Sequence, residues 1–518
     1  MDQTGNSLSS SARWLLFLLP AVLFLMNLGG APLFDVDEGA FSEATREMFV
    51  RHDFLSTWLN GAPRFDKPIL IYWCQAVFVW LFGPNEWSFR LPSALAASGW
   101  CYAVGLFAWQ RFGRTAGILA CGIAATSLGV HVIGRAATAD ALLNMLLALA
   151  LLDGWRHLES GQRTPLLRSY VWIGLGVLTK GPIALLVPGA TTLIYCLTAH
   201  RFKDWLRSVF NPLGWVILLA ITVPWYAAAL AIHGQDFING FILKHNVQRF
   251  SGSLEGHSGS MFYYVLMIPA LLLPWLSWLI AAVRQLPADW KLPERRFLWL
   301  WFLFVTVFFS LSGTKLPHYA LYGCTPLFAL LAIHRERVTN VWLAAAPLLV
   351  LLAFFLALPA LAAYATPAGW VKNAYYLAQL ERVQAAIPHG YYVFTALVLT
   401  AALVLLLRAG KLQMPAWCAS LGIACATTVL LAVSVAPFVG DLLQGPVKRA
   451  GLAARQYAEP TVLWNFHAPS FSVYRQQVSP TVQAQPGQIA LTRVDRLPAD
   501  ANVDVLYKEG GVVLVKVK

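Results

Sequence analysis

The chain has 518 residues, of which 58% are hydrophobic and only 12% are charged, with a mean hydropathy of +0.59. Soluble domains carry about 25% charged residues, so this composition excludes an ordinary soluble protein and predicts a polytopic helical membrane protein. The net charge of +13 is spread over short loops between apolar runs, which favours membrane topology over nucleic-acid binding. The seven cysteines lie mostly in apolar runs without metal-ligand spacing and predict packing residues, not a disulfide framework.

The first apolar run, 14–28, is predicted to be a retained transmembrane helix, because the rest of the chain is also apolar. A strongly polar stretch, 30–68, follows it as the first external loop. Asp37 is predicted to cap an amphipathic helix that starts at Glu38 and lies on the bilayer surface. The short apolar run 69–82 is either a second interfacial helix or a partial span.

Later apolar runs bring the predicted number of membrane spans to about thirteen. They cover roughly residues 88–110, 116–133, 141–155, 169–179, 183–199, 213–232, 262–283, 297–311, 319–333, 341–363, 391–407 and 413–437. With the N-terminus in the cytoplasm, the cytoplasmic loops hold about seventeen Lys and Arg against about seven Asp and Glu. The opposite loops are nearly balanced, which agrees with the positive-inside rule.

From residue 438 the apolar runs shorten and turn residues become frequent, with predicted strands at 461–466 and 511–517. An odd number of spans would export this region. The fold prediction is therefore an all-α polytopic membrane protein with about thirteen transmembrane helices, interfacial amphipathic helices and a small C-terminal soluble α/β domain. The transmembrane domain covers 1–437, and the soluble domain covers 438–518 on the outer side.

Several polar clusters fall on that same outer side in this topology. They are 35–67, 135–140, 179–180, 244–257 and 315–318. A transporter would be expected to place its ionisable residues near the bilayer midplane. Ionisable residues gathered at one face instead predict a site at the membrane surface.

Carboxylates at this face form the first group of candidate catalytic residues. Asp35, Asp37 and Glu38 are either a solvated loop with a helix cap or the source of a general base. Asp140 ends a short polar insert that needs only to form a turn, and it is also a candidate second acid.

Cations form the second group, and each has a structural alternative. Arg64 and Lys67 either snorkel at a membrane boundary or neutralise a lipid phosphate, with Asp66 orienting the lysine or binding a metal. Lys180, between apolar runs, needs an ion pair or a function. The remaining candidates are Arg249, on a substrate lid or a plain loop, and Lys315, at headgroup depth as a phosphate ligand or a solvation device.

Taken together and in order, these motifs resemble bacterial polyprenyl-phosphate-dependent glycosyltransferases of the GT-C fold. That family includes the aminoarabinose transferases that modify lipid A and the related protein O-mannosyltransferases. The segments that carry the resemblance are Asp37-Glu38-Gly39 with Arg46-Glu47-Met48, Phe65-Asp66-Lys67-Pro68 leading into Tyr72-Trp73, 178–182, His245-Asn246 with Arg249-Phe250 and His257, and 315–319. The similarity covers most of residues 14–437.

The resemblance implies about thirteen helices and a sugar donor linked through phosphate to a polyprenol, without a nucleotide cofactor. It makes Asp37 the acid nearest the reacting centre and Lys67 the donor-phosphate ligand. Asp66 with His257 would hold a divalent metal. The chain departs from the family at Ala40, where an arginine often stands, so Arg64, Arg249 or Lys315 would supply the missing cation, or the donor binds differently.

The predicted function is that of an inverting glycosyltransferase of the bacterial inner membrane. It would move a sugar from a polyprenyl-phosphate donor to a lipid A, glycan or other envelope acceptor on the periplasmic face. Membrane lipids are expected as further partners, and nucleic acid is not. Three alternatives stay open: transfer to protein hydroxyls, transport or flipping of lipid-linked sugars, and a catalytically inactive paralogue.

Overall fold

The structure is a computed structural model that describes residues 10–248, 259–498 and 500–518. Helices make up most of the chain before the C-terminal region, and a two-stranded hairpin, β1 (Trp58–Leu59) with β2 (Ala62–Pro63), lies in the first loop. The helices up to residue 248 are α1 (Ser10–Leu25), α2 (Asp37–Arg51), α3 (Leu70–Phe82), α4 (Glu86–Phe112), α5 (Arg114–Thr126), α6 (Leu128–Gly134), α7 (Asp140–Ser160), α8 (Arg163–Lys180), α9 (Ile183–Thr198), α10 (Phe202–Val209) and α11 (Pro212–Phe237), which continues as a π-helical segment (Ile238–Gln248).

The second set of helices begins beyond that segment. They are α12 (Tyr263–Leu271), α13 (Leu276–Asp289), α14 (Pro293–Leu311), α15 (Leu321–Ile333), α16 (Val341–Tyr364), α17 (Ala374–Leu380), α18 (Val383–Ala386), α19 (Tyr391–Ala409), α20 (Ala416–Leu430) and α21 (Ala436–Ala454), with 3-10 turns at Pro317–Ala320 and Arg335–Arg337. A π turn, Leu431–Val435, joins α20 to α21.

The chain is a multi-span membrane protein. Among the described residues, six helices are long and apolar enough to cross a bilayer, and seven if α5 and α6, which meet at 66°, form one broken span. Several predicted spans fall on helices outside this set, such as α8, α9, α14 and α15, so the count of thirteen stays a prediction. The predicted span 262–283 is broken between α12 and α13.

Helix α2 differs from its prediction in two ways. It begins at Asp37, the capping position is Val36, and no side chain caps the helix, so the predicted Asp37 cap is wrong. Every residue from Glu38 to Met48 is buried, because α2 packs against α3 and against the C-terminal region. The polar face of this amphipathic helix therefore meets protein.

The C-terminal region forms a four-stranded sheet in the order β3 (Thr461–Leu463), β4 (Ile489–Arg493), β6 (Val512–Val517), β5 (Val503–Glu509). Strand β3 runs parallel to β4, and the other neighbours are antiparallel. Gly510 has a φ of 53° and turns β5 into β6, at the position where the sequence predicts a turn. The sequence predicts β3 and β6 but misses β4, β5 and the short helix α22 (Ser470–Arg475). One continuous helix, 416–454, leads from the membrane into this region.

A buried ion pair between Glu38 and Arg90 ties these parts together. The Arg90 guanidinium donates to both Glu38 carboxylate oxygens, at 2.8 and 2.7 Å, and both side chains are about 95% buried (4% and 5% exposed). The same guanidinium donates to three backbone carbonyls after α1, those of Leu28, Ala31 and Pro32. Glu38 also accepts hydrogen bonds from the backbone N–H groups of Phe34 and Ala137. The pair therefore holds the first loop onto α4 through Arg90 and onto the turn before α7 through Glu38.

We expect Arg90→Met to be strongly destabilising, because it leaves the Glu38 carboxylate buried without its counter-charge. Removing one partner of a buried pair costs about 3–5 kcal/mol. The measurement is the melting temperature of the purified protein in detergent. Arg207→Met is the control, because the Arg207 side chain is 81% exposed. Equal melting temperatures for Arg90→Met and the wild type would contradict this role of the pair.

Candidate active site

The three carboxylates at the start of the first loop have different surroundings. Asp37 is the first residue of α2 and is exposed. Asp35 turns toward α22 and accepts hydrogen bonds from the Ser470 backbone N–H at 2.9 Å and hydroxyl at 2.5 Å. Glu38 accepts four hydrogen bonds from protein donors, so its oxygens are occupied. The geometry assigns Glu38 to positioning in place of the predicted catalytic role and leaves Asp37 as the accessible acid.

The β1–β2 hairpin brings the second group, Arg64, Asp66 and Lys67, back toward α2. Arg64 Nη2 donates to Asp66 Oδ2 at 3.2 Å, and the guanidinium lies 5.0 Å from the centre of the Phe41 ring. Its side chain is only 10% exposed. Its Nε and Nη1 are buried and have no hydrogen-bond partner among the described residues, and the same is true of the Tyr72 hydroxyl. Two guanidinium nitrogens are thus available to a polar ligand.

Electrostatics keeps this group charged. Burial opposes ionisation of Asp66, but a hydrogen bond from His245 and the charges of Arg64 and Lys67 outweigh it and hold the pKa of Asp66 below its usual range. His245 Nε2 lies 2.5 Å from Asp66 Oδ1. Burial likewise disfavours the Arg64 cation, whereas Tyr72, Asp66 and Asp37 raise the pKa of Arg64. Lys67 Nζ donates to the Asp66 carbonyl at 3.1 Å.

A third group forms where α7 begins and α8 ends. Lys180 Nζ lies 2.5 Å from Asp140 Oδ1 and donates to the Tyr322 hydroxyl at 2.7 Å. The Tyr322 hydroxyl in turn donates to Asp140 Oδ1 at 2.8 Å. His318 Nε2 lies 3.6 Å from the same carboxylate oxygen. The Asp140–Lys180 pair satisfies the expectation that a lysine between apolar runs needs a partner, and it joins two predicted site residues.

His318 connects all three groups. Burial lowers the pKa of His318 to about 4, and four charges act on the ring besides: Asp140 and Asp37 raise its pKa, whereas Lys180 and Lys67 lower it. The acid of the first loop and the candidate phosphate cation are therefore both close enough to act on one imidazole. Residues 37, 67, 140 and 180, far apart in the sequence, thus all lie near enough to His318 to act on its charge, beside the start of α7 and the end of α8.

The remaining predicted residues have other surroundings. Lys315 is buried, and its ammonium donates to the carbonyls of Ser310 and Ser312 at the end of α14, which fits a capping role better than a ligand role. Arg249 and His257 lie outside the described residues. Within the described ranges, no group of three or more His, Cys, Asp or Glu side chains is arranged to hold a metal ion. The metal at Asp66 with His257 stays a prediction.

Sequence reasoning missed Arg90 and Tyr322. Arg90 lies inside the apolar run 88–110, and a lone charge there needs a buried partner, which was a usable signal. Tyr322 gave no such signal, since an aromatic residue in an apolar helix is most often a packing residue. The polar insert before Asp140 forms a turn, which was one of the two alternatives that the sequence left open. Arg135 in this turn donates hydrogen bonds to the carbonyls of Phe24, Met26 and Asn27 at the end of α1.

Comparison with known proteins finds sequence similarity to transferases named for dolichyl phosphate or undecaprenyl phosphate. The profile of the family described as dolichyl-phosphate-mannose-protein mannosyltransferase matches residues 66–227. The undecaprenyl phosphate-alpha-4-amino-4-deoxy-L-arabinose arabinosyl transferase of Serratia proteamaculans is 30% identical over 342 residues, 64% of this chain and 60% of that protein. The transferase of the same name from Erwinia tasmaniensis is 31% identical over 334 residues, 62% of this chain and 59% of that protein. The alignments span about three fifths of these relatives.

Solved structures establish the fold over nearly the whole chain. The crystal structure of ArnT from Cupriavidus metallidurans bound to undecaprenyl phosphate superposes with a TM-score of 0.78 at 22% identity, covering 98% of each chain. The apo form of the same protein gives a TM-score of 0.75 at 23% identity, again with 98% of each chain covered. The predicted GT-C architecture with a small C-terminal α/β region is therefore confirmed.

We expect the seating of residues 33–40 against α22 to weaken as the pH rises. Burial raises the pKa of Asp35 from 3.8 to about 7, although the hydrogen bonds from Ser470 and its backbone N–H act to lower it. The seated loop therefore holds a proton that the released loop gives up, so seating is tightest below about pH 4 and is lost progressively as the pH rises through about 7. Hydrogen exchange of residues 33–40, corrected for the intrinsic rate, measures it.

The control for this experiment is a second aspartate of the same loop. Asp35→Asn should abolish the pH dependence of the corrected exchange rates of residues 33–40, whereas Asp53→Asn should leave that pH dependence unchanged. Burial works to raise the pKa of Asp53, but hydrogen bonds from Ser56, Leu55 and Trp58 outweigh it and keep this carboxylate ionised. Corrected exchange of residues 33–40 that is independent of pH in the wild type would show that Asp35 does not titrate there.

Proposed function

We propose that this chain, a membrane protein of the GT-C fold related in sequence to the undecaprenyl-phosphate aminoarabinose transferases, is an inverting glycosyltransferase. It would move a sugar from a polyprenyl-phosphate donor to a lipid A, glycan or other cell-envelope acceptor on the periplasmic face of the bacterial inner membrane. The observation that carries the proposal is that the exposed acid Asp37 lies close enough to raise the pKa of Arg64, and that Asp37 and Lys67 both act on the pKa of His318.

Arg64 and Lys67 are the proposed ligands of the donor phosphate. A buried N–H group without a partner costs about 1–3 kcal/mol, so the two unpartnered nitrogens of Arg64 support a bound anion at this place. Ala40, where relatives often have an arginine, directly precedes Phe41, and Arg64 stacks on the Phe41 ring. Arg64, which follows the β1–β2 hairpin, therefore supplies the cation that α2 lacks at Ala40. This argues against the inactive paralogue.

The proposed reaction needs one acid and a stabilised leaving group. Asp37 accepts the proton of the acceptor hydroxyl, whose oxygen attacks the anomeric carbon from the face opposite the phosphate. The bond between the anomeric carbon and the phosphate oxygen breaks, and polyprenyl phosphate leaves with the bonding electrons. Arg64 and Lys67 stabilise the negative charge that grows on the phosphate. A single displacement inverts the anomeric configuration.

The Asp140–Lys180 pair has a supporting role in this proposal. Its carboxylate holds Lys180 and Tyr322 by short hydrogen bonds and lies beside His318. A lysine already paired at 2.5 Å is less available to phosphate than Arg64. In this proposal Asp140 and Lys180 hold the part of the site beside Tyr322 and contribute a polar surface for sugar hydroxyls.

A divalent metal is a separate proposal, at Asp66. A carboxylate oxygen and an imidazole nitrogen are donor types that zinc accepts, and a structural zinc site needs about four such ligands. Asp66 and His245 supply two, and His257 lies outside the described residues. A metal held there would fix the Phe65–Pro68 segment, and the steps proposed above use no metal and no nucleotide.

Transfer to protein hydroxyls is the second candidate function, and the family profile is the observation that favours it. That profile covers residues 66–227, which include Lys67, Asp140 and Lys180 but not Asp37. The shared part is thus mainly the donor side of the proposed site. The donor is common to both candidates, and the acceptor distinguishes them.

The direct test is incubation of detergent-purified protein with undecaprenyl-phosphate aminoarabinose and lipid A. Release of undecaprenyl phosphate that depends on the acceptor is the expected result, and a hydroxyl-bearing peptide replaces lipid A in a parallel reaction. Asp37→Asn should lower kcat by about 10²- to 10⁴-fold, the usual contribution of a general base. The control variant Asp53→Asn should leave kcat unchanged.

Two results would contradict this function. A sugar–phosphate bond that stays intact with every acceptor, together with movement of the donor across vesicle membranes, would indicate a flippase. Full transfer by correctly folded Asp37→Asn would remove Asp37 from the mechanism.

Arg64→Met should weaken binding of undecaprenyl phosphate by about ten- to a hundredfold, the range of charge-assisted hydrogen bonds. The measurement is the dissociation constant from tryptophan fluorescence. Arg51→Met is the matched control, because Arg51 is also an arginine of the first loop stacked on an aromatic ring, that of Trp58. Equal affinities for Arg64→Met and the wild type would exclude Arg64 as a phosphate ligand.

A further inference from the structure

Helix α22 of the C-terminal region inserts into the first loop. All six of its residues are buried. Ser470 binds Asp35, the Tyr474 hydroxyl accepts a hydrogen bond from the Leu33 N–H at 2.7 Å, and the Ser472 hydroxyl donates to Asn60 Oδ1 at 2.9 Å. Three polar residues of one short helix therefore hold the first loop before α2, at Leu33 and Asp35, and beyond it, at Asn60.

Gly39 explains how the helix comes so close. A Cβ atom at Gly39 would lie 2.0 Å from Asp35 Oδ1, 2.7 Å from the Ser470 nitrogen and 3.1 Å from the Ser470 Cβ. Any side chain at this position would therefore displace either Asp35 or the start of α22. The glycine of the Asp37-Glu38-Gly39 segment is required by a contact with residue 470.

We propose that α22 is a positioning element for Asp37, and that the Asp35–Ser470 contact in the notch at Gly39 fixes the direction of the Asp37 carboxylate. This inference rests on the proposed function. It makes α22 a positioning element for the reaction, which acts on Asp37 through Leu33 and Asp35.

The location of Asp37 gives the physical reason. Asp37 lies between the two fixed residues Asp35 and Gly39, and no side chain caps the helix that it begins. Leu33 on one side of it packs with Val473 and Tyr474 in one buried cluster. The direction of an exposed side chain on such a short segment is set by how its neighbours are held. Since α22 holds both Leu33 and Asp35, it determines where Asp37 points.

Helix α22 is itself firmly held. Arg455, just after α21, donates through Nε to the Tyr474 carbonyl at 2.6 Å, and Arg475 donates to the Glu459 carbonyl at 2.9 Å. The phosphate side of the site is held differently, because Arg64 and Lys67 bond to Asp66, which pairs with His245. Loss of the Ser470 contact should therefore change turnover and leave donor binding largely intact.

The experiment compares Ser470→Ala, Asp35→Ala and the double variant in the transfer assay, with full-length protein. Each single variant should lower kcat by on the order of ten- to a hundredfold, the effect of a misplaced catalytic group, with the donor KM within about twofold of the wild type. The double variant should be no worse than Asp35→Ala, because the two residues act through one contact. Ser470→Thr, which keeps the hydroxyl, should recover most of the activity.

Ser479→Ala is the matched control. Ser479 is as buried as Ser470 and lies in the same region, but its hydroxyl bonds Thr461 and not the first loop. It should leave kcat unchanged, and melting temperatures of all variants show whether they fold. Unchanged kcat in folded Ser470→Ala, or equal losses in kcat and donor affinity, would overturn the inference while the wild type stays active. A wild type that transfers no sugar would overturn the proposed function and this inference with it.

Discussion

The buried pair of Glu38 and Arg90 is the constraint on which the site depends. Two charged side chains that are about 95% buried are tolerated only when every hydrogen-bond donor and acceptor has a partner, and here each has one. The cost of that burial is met by hydrogen bonds to three backbone carbonyls and from two backbone N–H groups. The result is that the end of α1, the first loop, α4 and the turn before α7 occupy fixed relative positions.

That constraint gives three neighbouring residues three different tasks. Glu38 points inward to Arg90, Asp37 points outward to the site, and Gly39 leaves the space that Asp35 and Ser470 fill. A helix rotates successive residues by about 100°, so adjacent side chains face different partners. The segment Asp37-Glu38-Gly39 is thus a junction of three contacts as well as a source of acids.

The charges of the bundle separate into two ends. At the end away from the site, Asp153 is bound by Arg156 and Arg168, and the buried Asp289 is bound by Arg295 and His334. At the site, Arg64 retains buried nitrogens without a partner among the described residues, and Asp37 is exposed. The site end therefore differs from the other end in that an exposed acid, Asp37, lies near a buried guanidinium with two unpartnered nitrogens.

The sequence by itself determined the class of the protein, most helix positions and the motifs of the site. Apolar runs of membrane length, the loop charges and the motif order are local properties that can be read without coordinates. The tertiary structure decided which motif residues are held by distant partners and which are open to solvent. Glu38 and Lys315 proved to be held by a distant arginine and by carbonyls of α14, and the role of Gly39 depends on residue 470. These facts depend on contacts between residues far apart in the chain, and a local pattern carries no information about them.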